Sequence, residues 1–504
     1  MSTKQLSPNF IEVVAAENVL AADKDLTWTR DGASEQASRD ELVFVFHGSK
    51  RDPSSDFWLC FVKEEPENQE RPFRLLVVRT PRMPSDLLDH MITELPPYLK
   101  HGLTSDFGIT NEVNVIVSTK SGVGLAPRVW EEVVQPLWNL LANDEIDLEQ
   151  TGTKGLKLDS NKLYYRVTLT ESAETVRDFA RNLWAQDEEQ SKARTIVLLS
   201  GDGGVVDMLN GSDGDEPPKI PPSIALLPLG TANALFHSIH KPLYSDLGPT
   251  PLARGLRTLF WGTPCDLPVF RASFSPGSRI VTFSDNSNTA SPIVDATQIQ
   301  KQETSISHLQ GAIVASYGFH ANIVYESDTP EYRVHGNKRF RMVAQELLRE
   351  SHAYAAKVSI RRRGSTTFED IPREKHAYVL TALVSNLERT FTISPATLPL
   401  QSQLRLVHFG PVGGERTMDV MMKAYDEGSH VNMEWPDGER VGYDEVDEVK
   451  VVILEDDERW RKVCIDGTIV EIPKGGEMSI KNLDHSIVRV VADPRVVEGV
   501  THRS

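Results

Sequence analysis

The sequence predicts an α/β plus all-β protein: a Rossmann-like α/β domain at residues 111–250, a β-rich domain at 251–500 expected to form a β-sandwich, and a small N-terminal sheet domain at 1–110. Three observations carry that expectation. Between residues 113 and 240, apolar strand-like runs alternate with glycine loops and helical periodicity, the pattern of an open, mostly parallel sheet. Beyond about residue 255 strand-like runs dominate. Residues 41–80 hold three short apolar runs separated by charged or proline-containing turns.

In chain order, ELVFVFHG, DFWLCFVKEE and PFRLLVVRT read as strands. In SDLLDHMITELPPYLK, Leu87, Leu88, Met91, Ile92 and Leu95 recur at helical spacing until Pro96 and Pro97 stop the pattern. Strands closed by one helix suit a domain of pleckstrin-homology type. VNVIVS then reads as a buried strand and PRVWEEVVQPLWNLLAN as a helix, with Pro127 suited to its first turn. The unit repeats: LYYRVTLT precedes SAETVRDFARNLWAQ, TIVLLS precedes GDGGVVDMLNG, and SIALLPL precedes GTANALFHSI. In the last part HAYVLTALVS, EVKVVILE, KVCIDG, MSIKNL and SIVRVVA are strands, and the polar residues 284–308 are expected to be a surface loop.

At 504 residues, with 39% hydrophobic and 25% charged residues, the chain has the composition of a globular protein of two or three domains. A formal net charge of -18 argues against nucleic acid as the main partner. Cys60, Cys265 and Cys464 are far apart and lack metal-ligand spacing, which suits a reducing, cytoplasmic setting. The sequence shows no signal peptide and no run of eighteen apolar residues, so membrane contact is expected to be peripheral. Composition leaves the oligomeric state open.

Three loops carry the chemistry: STKSGVGLA at 118–126, SGDGG at 200–204 and PLGTANAL at 228–235. Each closes a strand at the carboxyl edge of the expected sheet, where open α/β folds bind ligands. Glycine allows close backbone approach, and the helix that follows offers unpaired N–H groups and a positive dipole end to a phosphate. Asp202 stands alone among these glycines. Its charge repels a phosphate, so its carboxylate is expected to point elsewhere, toward a metal or an acceptor hydroxyl.

SGDGGVVDMLNG resembles the glycine-aspartate loop of the diacylglycerol kinase catalytic family, which includes sphingosine and ceramide kinases, and PLGTANAL resembles that family's next glycine loop. YGFHANIVYESDTPEYRVHGNKRFR at 317–341 and CIDG at 464–467 extend the resemblance over roughly 113–490. It implies an ATP- and Mg²⁺-dependent kinase acting on a lipid alcohol at a membrane surface. Asp202 is then the base for the lipid hydroxyl. Ser121, Gly122, Gly124, Thr170, Ser200, Gly201, Gly203, Gly230 and Thr231 shape the nucleotide site, and Asp207 supports the loop. Arg333 and Arg339 neutralise phosphates, Asp466 completes the metal and phosphate surroundings, and Phe319, Asn322 and Val324 meet the substrate.

The chain also departs from that pattern. The first loop reads Ser-Thr-Lys-Ser where the family commonly has Asn-Pro-x-Ser, with Lys120 or Arg128 as compensating cations. Asn322 and Val324 replace two acids of sphingosine kinases, in a segment where an acid meets the sphingoid amine, and this favours a neutral lipid such as diacylglycerol or ceramide. On a strand, where same-face positions lie two apart, Glu326 offers a carboxylate to the vacated place. An NAD kinase-like enzyme and a catalytically weak lipid-binding scaffold are the alternatives. Asp106-Phe107-Gly108 spells a protein-kinase triplet without its partners, and Arg361-Arg362-Arg363 reads as a solvated basic face.

Overall fold

The computed structural model describes residues 11–48, 56–102, 110–142, 165–172, 174–185, 192–211, 218–245, 248–285, 299–336 and 338–501. The Asp106–Gly108 triplet lies outside them.

Six strands form the sheet that carries the glycine loops, in the spatial order Arg166–Leu169, Thr110–Val117, Lys192–Ser200, Ser223–Pro228, Arg489–Ala492, Thr263–Asp266. All neighbours are parallel except the last pair. The central strand Lys192–Ser200 is buried from Arg194 onward, which is why it reads as an unbroken apolar run and not as an alternating one. Two strands of this sheet, Thr263–Asp266 and Arg489–Ala492, lie outside 111–250. The helix Pro251–Trp261 packs on it, and the chain returns at Arg489–Ala492 to pair with Ser223 and Ile224.

The β-rich part is a single curled sheet of fourteen strands, every described pair antiparallel, where two stacked sheets were expected. Part of the loop expected at 284–308 is strand: Arg279–Asp285 and Ile299–Ser305 are the arms of a hairpin. The helices Phe319–Ser327, Lys338–Glu350 and Gly414–Ala424 are set into this sheet's connections and bury Phe319, Val343, Leu347 and Val420 in its core.

Among the described residues the N-terminal part has seven strands in a four-stranded and a three-stranded sheet. The closing helix does not form. Residues Ser85–His90 make a 3-10 turn after Pro84, Leu88 stays exposed, and the Ile92 amide donates to the Val45 carbonyl (2.7 Å), which draws the chain out of helical register. Both faces of the four-stranded sheet are covered. Leu42, Val45, Leu59 and Phe61 face the small sheet with Leu26 and Trp28, while Phe44, Phe46, Trp58 and Cys60 join the core of the helices 126–142 and Pro251–Trp261. Phe44 meets Phe260 edge to face at 5.2 Å, and Arg257 donates to the backbone carbonyls of Leu42 and Arg39. This sheet is therefore a wall of the α/β unit. Arg128, named above as a compensating cation, donates to the Gln69 and Glu70 carbonyls of this wall.

A shared core predicts shared unfolding. Phe260→Ala is expected to cost about 3–5 kcal/mol and to lower one common transition in a denaturant melt. Separate transitions for the N-terminal sheet and the α/β unit, with only one of them shifted, would contradict the shared core.

Candidate functional site

The three glycine loops meet backbone against backbone at the carboxyl edge of the parallel sheet. A Cβ on Gly230 would lie 2.4 Å from the Gly201 Cα, one on Gly201 2.8 Å from the Gly230 Cα, and one on Gly122 2.5 Å from the Leu229 carbonyl oxygen. No side chain fits there, so these glycines are required by loop-on-loop packing before any ligand is considered. Gly122 and Gly124 also have φ of 55° and 76°. Gly203 differs: nothing lies within 4 Å of its Cβ position, and it is exposed in the first turn of the helix Asp202–Leu209.

Hydroxyl groups tie the loops together. Ser121 donates to Ser118 (2.7 Å) and lies 3.4 Å from the Ser200 hydroxyl. The Thr170 hydroxyl accepts the Thr119 amide (3.0 Å), and its carbonyl accepts the Thr119 hydroxyl (2.8 Å), fixing the first loop to the strand Arg166–Leu169. Thr231 is exposed at the tip of the third loop. Asn233, to which the sequence reading gave no role, holds that loop closed. In the left-handed region at φ 53°, it accepts the Gly230 amide (2.9 Å) and donates to the Gly230 carbonyl (3.0 Å).

The Asp202 carboxylate turns away from its own loop, as expected, but toward the next helix. One oxygen accepts the Ala234 amide (2.8 Å) and the other the Leu235 amide (3.1 Å), at the start of the helix Ala234–His240. Burial raises its pKa, and the two amides work against that rise. Asp207, one turn further on, accepts from Arg177 (3.2 Å) and braces the helix Thr175–Ala185; burial lifts its pKa to about 6.

The helix beginning at Asp202 ends at a clamp on the β-rich sheet. Asn210 accepts the Gln310 amide and donates to the Gln310 carbonyl, both at 2.9 Å. Just beyond Gln310, the amides of Ala312, Ile313 and Val314 donate to Asp466 at 2.6, 3.1 and 2.6 Å. Asp466 and Gly467 form a two-residue hairpin turn with φ of 47° and 90°, as the Asp-Gly dipeptide suggests. Burial and the nearby charge of Asp202 push Asp466 up to about 7 in spite of its three amide partners.

Arg333 and Arg339 form a second group around Asp328. Arg333 donates through Nε and Nη2 to the two Asp328 oxygens (3.0 and 2.7 Å), and Arg339 lies 3.6 Å from one of them. Phe319 is buried at the start of the helix Phe319–Ser327. Asn322 is completely buried; it donates to the Gly318 carbonyl (2.9 Å), while its Oδ1 has no partner. Val324 packs against Val281, Ala321, Cys464 and Ile469. This segment is helix, so same-face positions lie three or four apart, and the two-residue shift that was to bring in Glu326 does not apply. The Glu326 carboxylate is held by Arg459 at 2.8 Å.

The arginine triplet has partners: Arg361 with Asp447 and Glu448, Arg362 with Asp444, and Arg363 with Glu445. Its acids lie on Gly442–Ile453, an interior strand of the β-rich sheet. His237 and His240 belong to the interior as well. His240 bonds the Phe236 carbonyl and the Thr258 hydroxyl, and His237 bonds the Tyr244 hydroxyl.

An open, mostly parallel sheet with glycine loops gathered at its carboxyl edge is the arrangement at which α/β folds bind phosphate groups. Residues 112–253 match the family model of the diacylglycerol kinase catalytic domain, and with this domain the chain is an enzyme of the lipid-kinase class. No curated protein matches it. Among solved structures it is similar to a diacylglycerol kinase from Bacillus anthracis strain Sterne at 12% identity, covering 76% of this chain and 98% of that one with a TM-score of 0.44. A second crystal structure from that strain is 13% identical, with coverage of 76% and 96% and a TM-score of 0.46. Among the described residues no helix is long and apolar enough to cross a membrane.

The glycine geometry separates two kinds of substitution. Gly230→Ala should lower the melting temperature and weaken ATP binding, because its methyl group meets backbone that cannot yield. Gly203→Ala should leave the melting temperature unchanged or slightly raised, alanine being the better helix former by about 1 kcal/mol. Equal melting temperatures for the two variants would contradict the loop-on-loop packing.

Proposed function

We propose that the chain transfers the γ-phosphoryl group of ATP to the hydroxyl of a neutral lipid alcohol of the diacylglycerol or ceramide class, with Asp202 as general base. One observation carries this reading: Asp202 borders both the edge where the glycine loops gather and an apolar seam. Its carboxylate accepts the Leu235 amide, and the Leu235 side chain lines a pocket with Ile239, Leu267, Leu383, Val384 and Leu398 between the parallel sheet and the β-rich sheet. Ser238 and Ser385 add hydroxyls, that of Ser385 buried and without a partner. The pocket encloses about 20 Å³, room for a single water, so hydrocarbon enters only when the seam parts.

Phosphoryl transfer needs alignment, positive charge on the phosphate oxygens and a base near the attacking hydroxyl. The loops at Ser121, Gly122, Gly124, Ser200, Gly201, Gly203, Gly230 and Thr231 would cradle the nucleotide, with Arg333 and Arg339 on its phosphates. Asp202 takes the hydroxyl proton, the lipid oxygen bonds the γ-phosphorus, and the bond to the β–γ bridging oxygen breaks, releasing ADP. A base held by two amides keeps a fixed direction, and burial raises its proton affinity toward the working pH.

Mg²⁺ usually rides on nucleotide phosphates with one or two protein carboxylates, and it would supply positive charge there. Asp202 and Asp466, close enough for one charge to raise the other's pKa, fit that demand. The trio Glu303, Glu458 and Glu471 does not, because Lys301, Arg279 and Lys462 already lie on it.

The choice of a neutral substrate is supported by the side chains of the helix Phe319–Ser327, which lies outside the lining of the Leu235 pocket. Neither Asn322 nor Val324 carries charge, and Glu326 is occupied by Arg459. The spare oxygen of Asn322 suits a neutral N–H or O–H donor, whereas an ammonium buried there would lack a counter-charge.

Purified protein given labelled ATP, Mg²⁺ and a panel of diacylglycerol, ceramide, sphingosine and NAD should label diacylglycerol or ceramide. Label on NAD alone, or none at all with ATP still bound, would replace the proposal with a soluble-substrate kinase or a scaffold. Asp202→Asn should lower turnover by about 10²–10⁴ with ATP binding largely retained; most of the turnover surviving would remove Asp202 from the role of base. Val324→Asp should shift preference toward sphingosine through a charge-assisted bond worth roughly 1.5–3 kcal/mol. Strong parental activity on sphingosine, lost in Glu326→Gln, would overturn the neutral-lipid assignment.

A further inference from the structure

We infer that Asp328 is a positioning residue that assembles Arg333 and Arg339 into one cationic clamp for the nucleotide phosphates. The inference rests on the proposed phosphate role of the two arginines and goes beyond it by naming what holds them.

The chain path alone does not pair these side chains. Arg333 ends the short helix Pro330–Arg333, and Arg339 follows a turn in which Gly336 has φ 55° and accepts the Arg339 amide at its carbonyl (3.1 Å). Two guanidinium groups repel: burial lowers the pKa of Arg339, Asp328 works against that fall, and the charge of Arg333 adds to it. They converge because one carboxylate lies between them, bound by Arg333 through two parallel N–H···O bonds and approached by Arg339 at 3.6 Å. One negative charge against two positive ones leaves the group with a net positive charge, and Nη1 of Arg333 is not used on Asp328. An arginine gripped along its Nε–Nη2 edge is already oriented, so less freedom is lost when its remaining donors meet a phosphate.

Asp328 has a fixed place. Its amide donates to the Tyr325 carbonyl at the end of the helix Phe319–Ser327, and the next residue, Thr329, caps back to the Glu326 carbonyl (2.8 Å). Glu326 is anchored by Arg459, which also donates to Glu350 on the neighbouring helix. The corner that carries Asp328 is thus braced from behind, as a residue that orients others must be.

Competition is the opposing effect. Asp328 is itself an anion and repels a phosphate. Exposure decides between the two effects. The arginine side chains retain 22% and 26% of their accessible surface and Asp328 38%. Water screens the longer-range repulsion, while loss of the carboxylate frees both long side chains to separate into solvent.

The test compares Asp328→Asn, Asp328→Glu, Arg333→Ala and Arg339→Ala in the full chain, with ATP binding measured by calorimetry and turnover followed against ATP. Asp328→Asn should raise Kd and KM for ATP on the order of tenfold, as loss of an orienting partner does elsewhere, with kcat less affected. Asp328→Glu, which keeps the charge, should recover part of the loss, a recovery that a merely structural role does not predict. Unchanged or tighter ATP binding in Asp328→Asn, with weaker binding in either arginine variant, would overturn the inference and spare the phosphate role of the arginines. Unchanged binding in all four would overturn both.

Discussion

The site depends on one close approach: the backbone of Gly201 against that of Gly230. With no side chain between them, the second and third glycine loops touch at Cα, and Asp202 is brought within hydrogen-bond reach of the amides of Ala234 and Leu235. One carboxylate thereby ties the end of one strand–loop–helix unit to the helix of the next. A helix start bound to a carboxylate is electrostatically satisfied. The same contact denies Asp202 free rotation, so a reacting hydroxyl would meet it from a single direction.

From this point constraints run in two directions. Along the helix Asp202–Leu209 they reach the Asn210 clamp on Gln310, and through the backbone amides of Ala312, Ile313 and Val314 they reach Asp466. Two carboxylates on different sheets are in this way held at a set separation, and the charge of one raises the proton affinity of the other. Across the parallel sheet, the helices of residues 126–142 and Pro251–Trp261 transmit the packing to the N-terminal wall through Phe260, Phe44 and Trp138. A change in the wall is therefore felt under the first glycine loop.

Much of this was legible in the sequence because it is local. Alternation of apolar runs with glycine loops and helical spacing located the strands of the parallel sheet, and Asp466-Gly467 announced its hairpin turn. What escaped was non-local or lay in a competing periodicity. Nothing in PLGTANAL tells that Gly230 needs Gly201 as its neighbour, or that Asn233 closes the loop on itself. The strand Arg489–Ala492 reads as a strand, but one of its two partners, at Ser223 and Ile224, lies more than 250 residues earlier in the chain. In the N-terminal strands the missing alternation of LVFVF and WLCFV was a readable sign of burial on both faces. Around Leu87 helical spacing was present but the chain is bridged to Val45, and at HANIV a two-residue period suggested itself where the chain is helical.

Hydrogen–deuterium exchange on the full chain, with and without ATP, tests the central claim most directly, because loops packed on one another must respond together. The account predicts that ATP slows exchange jointly in the segments 118–126, 200–204 and 229–235, with the Ala234 and Leu235 amides protected even before ATP is added. Protection confined to one loop, or rapid exchange at Ala234 and Leu235 in the free protein, would contradict it.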